Sequence, residues 1–244
     1  MIKRLRLTSY LDSPFVPDEV KTEIRRILRD NKVILPGWRP SYLRSLGKVQ
    51  TIVDVGVLEG TPALYDAFPE AKLILVEALP MYEESCRRLV AGRSESEIHM
   101  CAVGANDGST VIHYYPGRPA TSSLLERNKD RGLEVIEIDV PLRRLDSLLS
   151  GSEFRGDALL KIDVEGMELE VLRGAVHLLP RIKYIIAETS ISRRHKNSYR
   201  FADLVGFLAE QGFDLYDALR LTRSNAMTPG ALIMDAVFIN SSAG

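Results

Sequence analysis

The chain has 244 residues, of which 45% are apolar and 27% charged, with a formal net charge of -1 at pH 7. This balance is typical of a soluble globular protein and excludes a disordered chain. The near-neutral charge gives no general attraction to nucleic acid, whose binding proteins usually present a strongly basic surface.

The two cysteines and the lack of long apolar segments predict a cytoplasmic protein. Cys86 and Cys101 have no metal-type spacing and are expected to be buried, reduced thiols. No window approaches the roughly 18 apolar residues of a membrane span. The first residues lack the apolar stretch of a secretory signal. A homo-oligomer is compatible with the sequence.

Residues 1–50 are predicted to form N-terminal accessory helices within one domain. Residues 17–30 have apolar positions at helical spacing and a cationic opposite face. Residues 36–40 form a loop that carries the only tryptophan, Trp38. Packing and a substrate-lid role both remain open for Trp38.

From Thr51 to Gly244 strands and helices alternate, which predicts an α/β domain with a mostly parallel sheet. A turn at 104–108 followed by a strand predicts a β-hairpin excursion after the third strand. The last strand is expected to be antiparallel, since too little chain precedes it for a long helix. The expected strands are 51–55, 73–76, 98–103, 111–115, 135–140, 159–163, 184–188, 213–216 and 236–239, and the main helices are 61–68, 80–89, 142–149, 169–179 and 201–208.

The apolar run 159–162 is followed by two acids, Asp163 and Glu165, and by Gly166. Open α/β sheets bind ligands beyond the carboxyl ends of their strands, so these acids are candidate site residues. A structural alternative is that Glu165 and Glu168 complement the N-terminus of the following helix.

A glycine-containing turn follows the first strand, and an acid ends the second. Gly56 and Gly60 allow close backbone approach to a ligand, while Glu77 can accept both hydroxyls of a ribose. Fingerprints for a dinucleotide pyrophosphate, for a Walker A loop and for hydrolases are absent from the sequence. S-adenosylmethionine is therefore favoured, because it contains a ribose but no phosphate.

The order of these blocks resembles the FkbM-type S-adenosylmethionine-dependent methyltransferases. The blocks are Val53-Asp54-Val55-Gly56, Val76-Glu77, Ala102-Val103-Gly104, Ser122-Ser123-Leu124 and Leu160-Lys161-Ile162-Asp163-Val164-Glu165-Gly166. The resemblance implies a class I methyltransferase fold, which is a Rossmann-like sandwich with a seven-stranded sheet. It also implies O-methylation of a hydroxylated acceptor such as a sugar or a polyketide.

The resemblance further implies which positions bind the cofactor. Glu77 would hold the ribose, and Asp163 and Glu165 would face the methyl-transfer centre. The expected cofactor-binding residues are Asp54, Gly56, Glu59, Gly60, Glu77, Ala102, Val103, Ser122, Ser123 and Asp163. In this chain Val57 and Leu58 stand where the family usually has small and amide residues.

A hydroxyl acceptor needs a base, and the candidates are Asp163, Glu165, Glu188 and His195. The three carboxylates could instead gather Mg²⁺, which is possible but not favoured. Two other functions stay open at this level: a nucleotide-dependent oxidoreductase, and a non-catalytic cofactor-binding scaffold, which the Val57-Leu58 departure would permit.

Overall fold

Two strands in which every residue is buried form the centre of the fold. Thr51–Val55 and Ala158–Ile162 pair in parallel, as the computed structural model shows. Side chains alternate between the two faces, so Val53 packs into a core on one side and Ile52 into a core on the other. Burial on both faces explains why these strands are nearly continuous apolar runs.

The structure describes residues 35–126, 132–192, 194–223 and 231–241. The helices are α1 (Pro40–Ser45), α2 (Pro62–Ala67), α3 (Glu83–Val90), α4 (Leu145–Leu148), α5 (Glu168–Arg173) and α6 (Phe201–Glu210), with 3₁₀ turns at Pro80–Tyr82, Pro119–Thr121 and Leu179–Arg181. The strands are β1 (Thr51–Val55), β2 (Lys72–Glu77), β3 (Glu97–Met100), β4 (Ala102–Val103), β5 (Gly108–Tyr114), β6 (Ile136–Arg143), β7 (Ala158–Ile162), β8 (Ile182–Ser190), β9 (Phe213–Arg223) and β10 (Ala231–Asn240).

The main sheet has seven strands in the order β3-β2-β1-β7-β8-β10-β9. Neighbouring strands from β3 to β8 are parallel, whereas β10 runs antiparallel to both β8 and β9. This arrangement confirms the expected α/β fold of a class I methyltransferase and its antiparallel last strand. The carboxyl ends of β1, β2, β7 and β8 therefore meet at one edge of the sheet.

The excursion after the third strand differs in detail from the sequence expectation. The predicted strand 98–103 divides at the buried Cys101 into β3, in the main sheet, and β4, in a separate three-stranded sheet. In that sheet β6 lies between β4 and β5, so the turn at 104–108 joins strands that are not neighbours. The antiparallel pair is β5 with β6. Leu142, expected in a helix, is the penultimate residue of β6.

The described residues 36–50 belong to the compact unit Pro36–Gly244, which contains the sheet. The helix predicted over 17–30 lies outside the described residues. In the part of the chain that is described, no helix has the length and apolarity to cross a membrane. Cys86 and Cys101 are buried free thiols, as expected.

Candidate active site

Two neighbouring chambers open at the carboxyl ends of the central strands. The inner chamber lies beside β2, β4 and the loop after β7, and Glu77, Ala102 and Val103 line it. The outer chamber lies beside β8, β9 and β10, and Glu188 lines it. Gly56, Leu58, Pro119, Ala120 and Asp163 line both chambers. One elongated ligand bound here would therefore contact both.

Gly56 makes the junction between the chambers possible. Its φ is +77°, in the left-handed region that favours glycine. A Cβ atom at this position would lie 1.9 Å from the carbonyl oxygen of Asp163. The turn after β1 can therefore pack against the turn after β7 only because residue 56 has no side chain. Gly60, with φ +95°, lines the outer chamber on the same loop.

Glu77 holds the loops after β1 and β2 together. Its side chain is buried, and its two carboxylate oxygens accept hydrogen bonds from the amides of Leu58 and Leu79, each at 2.8 Å. Burial raises the pKa of Glu77 above its ordinary value, while these amides oppose the shift. The carboxylate is fixed at the wall of the inner chamber.

Asp54 supports the glycine loop from behind. It is fully buried and lines neither chamber. Its Oδ2 accepts hydrogen bonds from Thr61 at 3.0 Å and from Tyr65 at 2.5 Å, and Lys161 Nζ lies 3.1 Å from its Oδ1. The same ammonium donates to the Gly56 carbonyl at 2.8 Å. Asp54 therefore fixes the loop conformation from behind the cleft, and Lys161, which lines the outer chamber, connects Asp54 to the loop.

The remaining inner wall is mostly apolar. Ala102 and Val103 are each 4% exposed and line it together with Ser122 and Ser123. The Ser123 hydroxyl donates to the backbone carbonyl of Glu165 at 2.8 Å. This hydrogen bond connects the loop after the second 3₁₀ turn to the loop after β7, and so closes the chamber on that side.

An acidic cluster forms where β7 and β8 end. Asp163, Glu165 and Glu188 each place one carboxylate oxygen within 4.8 Å of the others. Glu165 adopts a left-handed backbone, with φ +53°, to reach this position. Burial, together with the charges of Asp163 and Glu165, raises the pKa of Glu188 to about 8. The three acids proposed from the sequence are thus brought together.

Arg194 enters this cluster from the loop after β8. Its guanidinium lies 2.8 Å from Glu165 Oε2 and 3.3 Å from Glu188 Oε2, and the side chain is 13% exposed. Arg194 was not among the candidate residues identified from the sequence. A divalent ion bound here would compete with the guanidinium for the oxygens of Glu165 and Glu188.

The outer chamber is completed by Trp38, Arg220 and Asp235. Sequence reasoning had not connected these three residues. Arg220 lies 2.8 Å from Glu188 Oε1 and 2.8 Å from Asp235 Oδ2. The indole nitrogen of Trp38 donates to Asp235 Oδ2 at 2.6 Å. Arg220 and Asp235 are register partners on β9 and β10. Arg220 and Asp235 both lie outside the predicted strands 213–216 and 236–239, so no sequence signal connected them.

Three further residues named from the sequence, Glu168, His195 and Glu59, lie outside the acidic cluster. Glu168 is fully buried, and its Oε1 accepts the amides of Val164 at 3.3 Å and Gly166 at 3.0 Å, so it stabilises the turn that carries the acids. His195 is 1% exposed and packs against Gly166; it is not among the residues that line either chamber. Glu59 is exposed and lines the outer chamber.

The chain has recognisable relatives. Methyltransferase sdnD of Sordaria araneosa is 32% identical, with the match covering 50% of this chain and 59% of that protein. Methyltransferase 1 of Beauveria bassiana (strain ARSEF 2860) is 28% identical, covering 50% and 57%. The chain thus spans less than three fifths of the length of these curated relatives.

Solved structures to which the chain is similar include magnesium protoporphyrin IX methyltransferase from Synechocystis PCC 6803 with bound SAM. The TM-score of this match is 0.45 at 11% identity, and the match covers 94% of this chain and 85% of that one. An O-methyltransferase family protein from Burkholderia thailandensis has a TM-score of 0.45 at 11% identity, covering 84% and 56%.

The family model for the methyltransferase FkbM domain matches residues 54–215. This range includes Gly56, Glu77, Asp163 and Glu188 and excludes Trp38, Arg220 and Asp235. Because the match extends over well more than half of the chain, this protein belongs to the FkbM methyltransferase family.

Proposed function

We propose that the chain is an S-adenosylmethionine-dependent O-methyltransferase that acts on a hydroxyl of a sugar or another natural product. The observation that supports this most is the arrangement of one continuous cleft. Glu77, a buried carboxylate at a strand end, lines its inner part, and Glu188 lines its outer part. Family membership supports methyl transfer, and an acid facing an acceptor chamber supports oxygen as the acceptor atom.

The donor set of the inner chamber fits S-adenosylmethionine. Glu77 would accept hydrogen bonds from the ribose hydroxyls, and the Ala102–Val103 wall would cover the adenine. Asp163, at the junction of the chambers, would pair with the amino group of the methionine part. When bound, the cofactor supplies a methyl group on a positively charged sulfur.

Within this proposal the chain aligns the acceptor and takes its proton. Methyl transfer to oxygen requires the acceptor oxygen to lie in line with the methyl group, and water to be excluded. Glu188 is the proposed base, because it lines the outer chamber and not the inner one. Its oxygens are held by Arg194 and Arg220, so the carboxylate is already oriented before the acceptor binds.

Glu77→Gln tests the cofactor assignment. The amide can accept from only one of the Leu58 and Leu79 amides, since its NH₂ group would face the other donor. We expect the dissociation constant of S-adenosylmethionine, measured by calorimetry, to rise about 10- to 100-fold.

Glu84→Gln, on an exposed face of α3, is the control and should bind the cofactor normally. Wild-type protein that binds a nicotinamide dinucleotide but not S-adenosylmethionine would contradict the proposal in favour of the oxidoreductase. Cofactor binding with no methyl transfer to any hydroxylated acceptor would favour the scaffold.

Metal removal tests the acid cluster separately. Because Arg194 already compensates Glu165 and Glu188, we expect exhaustive chelation to leave the methyl-transfer rate unchanged. The measurement is the rate before and after dialysis against a chelator, with added Mg²⁺ as the second arm. A rate lost on chelation and restored by Mg²⁺ would show that a metal displaces the guanidinium during turnover.

A further inference from the structure

Three charged residues stand in one row across the strands at one side of the main sheet. Glu188 on β8 is the register partner of Asp235 on β10, and Asp235 is in turn the register partner of Arg220 on β9. All three line the outer chamber, so their side chains share one face of the sheet. The sheet therefore presents two acids and then a guanidinium beside the cleft.

The first two members of the row are both acids. Once Glu188 loses its proton, the two carboxylates repel each other, as like charges at opposite positions of neighbouring strands do. Glu188 is 10% exposed and Asp235 is 2% exposed, so the surroundings screen this repulsion only weakly. The ionised form of Glu188 therefore depends on Arg220, which reaches from the third strand to both carboxylates.

Arg220 meets the two acids in different ways. Its Nε and Nη2 donate to Oδ2 and Oδ1 of Asp235 at 2.8 and 3.1 Å, and Nη2 also donates to Glu188 Oε1 at 2.8 Å. The contact with Asp235 is thus bidentate and fixes the orientation of the planar guanidinium. The contact with Glu188 is one hydrogen bond, whose direction follows from that orientation.

We propose that Asp235 is a positioning residue for methyl transfer. It fixes the guanidinium of Arg220 so that one N–H group points at Glu188, the proposed base. The inference rests on the proposed function, since Asp235 and Arg220 act through that base.

Arg220 needs this support because it lies at the surface. Its side chain is 51% exposed, and a long side chain loses conformational entropy when it is held in one orientation. One hydrogen bond to Glu188 would leave the guanidinium free to rotate about that contact. The bidentate pair with Asp235 leaves it a single orientation.

Asp235 is itself fixed before any ligand binds. The indole N–H of Trp38 donates to its Oδ2 at 2.6 Å, and the amide of the adjacent Gly37 donates to the Leu219 carbonyl at 2.9 Å. The Asp235 carboxylate therefore cannot rotate away from Arg220 without losing the indole hydrogen bond. Trp38, although distant in the sequence, supports the same row.

The other charges around Glu188 act on its second oxygen or from neighbouring loops. Arg194 lies 3.3 Å from Oε2, and Asp163 and Glu165 approach from the loop after β7. Substitutions of Asp235 and Arg220 leave these three charges in place. Changes in the row therefore reach Glu188 through Oε1, the oxygen that Arg220 contacts.

The experiment follows Arg220 and Glu188 by NMR in the full-length protein saturated with S-adenosylhomocysteine. Arg220→Met assigns the Nε–H signal of Arg220, and Glu188→Gln assigns the carboxyl-carbon signal of Glu188. In Asp235→Asn we expect the Arg220 Nε proton to exchange with water at least about tenfold faster, because the bidentate pair is broken. Unchanged exchange would overturn the inference.

The titration of Glu188 is a second readout, with opposite signs in two variants. Asp235→Asn removes a repelling charge and leaves Arg220 to Glu188, so the pKa of Glu188 should fall from about 8 by about one pH unit. Arg220→Met removes an attracting charge and should raise this pKa by a similar amount. Shifts of the same sign, or none, would overturn the inference. Because Arg220 is half-exposed, Arg220→Met keeps the test decisive if Asp235→Asn does not fold.

Asp217→Asn is the matched control. Asp217 also lies on β9 and accepts a hydrogen bond from an aromatic side chain, the Tyr42 hydroxyl, at 2.5 Å, but it is not among the residues that line either chamber. Neither the exchange of the Arg220 proton nor the pKa of Glu188 should change in this variant. Changes as large as those in Asp235→Asn would show a general effect of removing an acid from this part of the sheet and would contradict the inference.

Kinetics and calorimetry separate the inference from the proposed function. We expect kcat to fall about tenfold in Asp235→Asn while the dissociation constant of S-adenosylmethionine stays within about twofold. Loss of kcat in Glu188→Gln together with wild-type kcat in Asp235→Asn rejects the inference alone. Absence of S-adenosylhomocysteine binding in the wild-type protein rejects the proposed function as well.

Discussion

Replacing Glu188 with glutamine should lower kcat for methyl transfer by about 10²- to 10⁴-fold, the usual contribution of a general base. The side chain keeps its shape, although its single amide oxygen can accept from only one of Arg194 and Arg220, and it cannot take the proton of the acceptor hydroxyl. The dissociation constant of S-adenosylmethionine should stay within about twofold, because Glu188 lines only the outer chamber.

The pH dependence gives this prediction a second readout. A base must be unprotonated, and burial near Asp163 and Glu165 raises the pKa of Glu188 to about 8. The wild-type rate should therefore rise with pH up to about 8 and then level off. An Asp163→Asn protein should reach its plateau at lower pH, since one repelling charge has been removed.

The same pKa shift lowers stability as the pH rises, although it raises the rate of methyl transfer over the same range. The folded protein holds the Glu188 proton more tightly than the unfolded chain, whose ordinary pKa is 4.5. This contribution to the free energy of unfolding is complete below 4.5 and is lost as the pH rises to about 8. Glu188→Gln should flatten this part of the stability profile, and Glu84→Gln should not. If Glu188→Gln kept the wild-type kcat, the base would have to be another acid of the cluster.

Gly56→Ala should be far more destabilising than Gly92→Ala, although the two glycines have nearly the same φ, +77° and +78°. Both substitutions incur the left-handed strain of an L residue, about 1–2 kcal/mol. Only at Gly56 does the new Cβ meet backbone, 1.9 Å from the Asp163 carbonyl oxygen; no atom lies within 4 Å at Gly92.

The turns after β1 and β7 must separate to relieve this clash. We expect the free energy of unfolding, measured with denaturant, to fall by about 4 kcal/mol or more in Gly56→Ala. Any folded fraction should bind S-adenosylmethionine at least about 100-fold more weakly. Similar losses in the two variants would show that backbone strain, and not contact with Asp163, accounts for the effect.

Sequence reasoning predicted correctly that residues at the carboxyl-end side of the parallel strands lie close together. Gly56, Asp163 and Glu188 each end or follow an apolar run, and parallel strands place such ends at one edge of the sheet. The order of runs and turns was therefore enough to bring these residues together. Glu77, the last residue of β2, was located by the same argument.

The same argument does not predict the position of Asp54, which lies within β1. It was expected to line the cofactor loop, but it is the register partner of Lys161 across the β1–β7 pair and faces that residue beneath the loop. A sequence shows which residues alternate along one strand, but not which strand lies beside it. The division at Cys101 was missed for the same reason, since β4 leaves the main sheet to pair with β6.

The outer chamber could not be predicted from the sequence, because the residues of its wall come from distant parts of the chain. Trp38 precedes β1, and Arg220 and Asp235 face each other only through the register of β9 and β10. That register includes irregularities close to both residues, so even a correct pairing of the strands would not have fixed which side chains meet.

The family match covers residues 54–215 and thus ends before Arg220 and begins after Trp38. The outer chamber is thus built partly from the shared range, which contains Glu188, and partly from residues outside it, which are Trp38, Arg220 and Asp235. If the proposed function holds, substitutions at these three positions should alter acceptor preference more than cofactor binding, because none of the three lines the inner chamber.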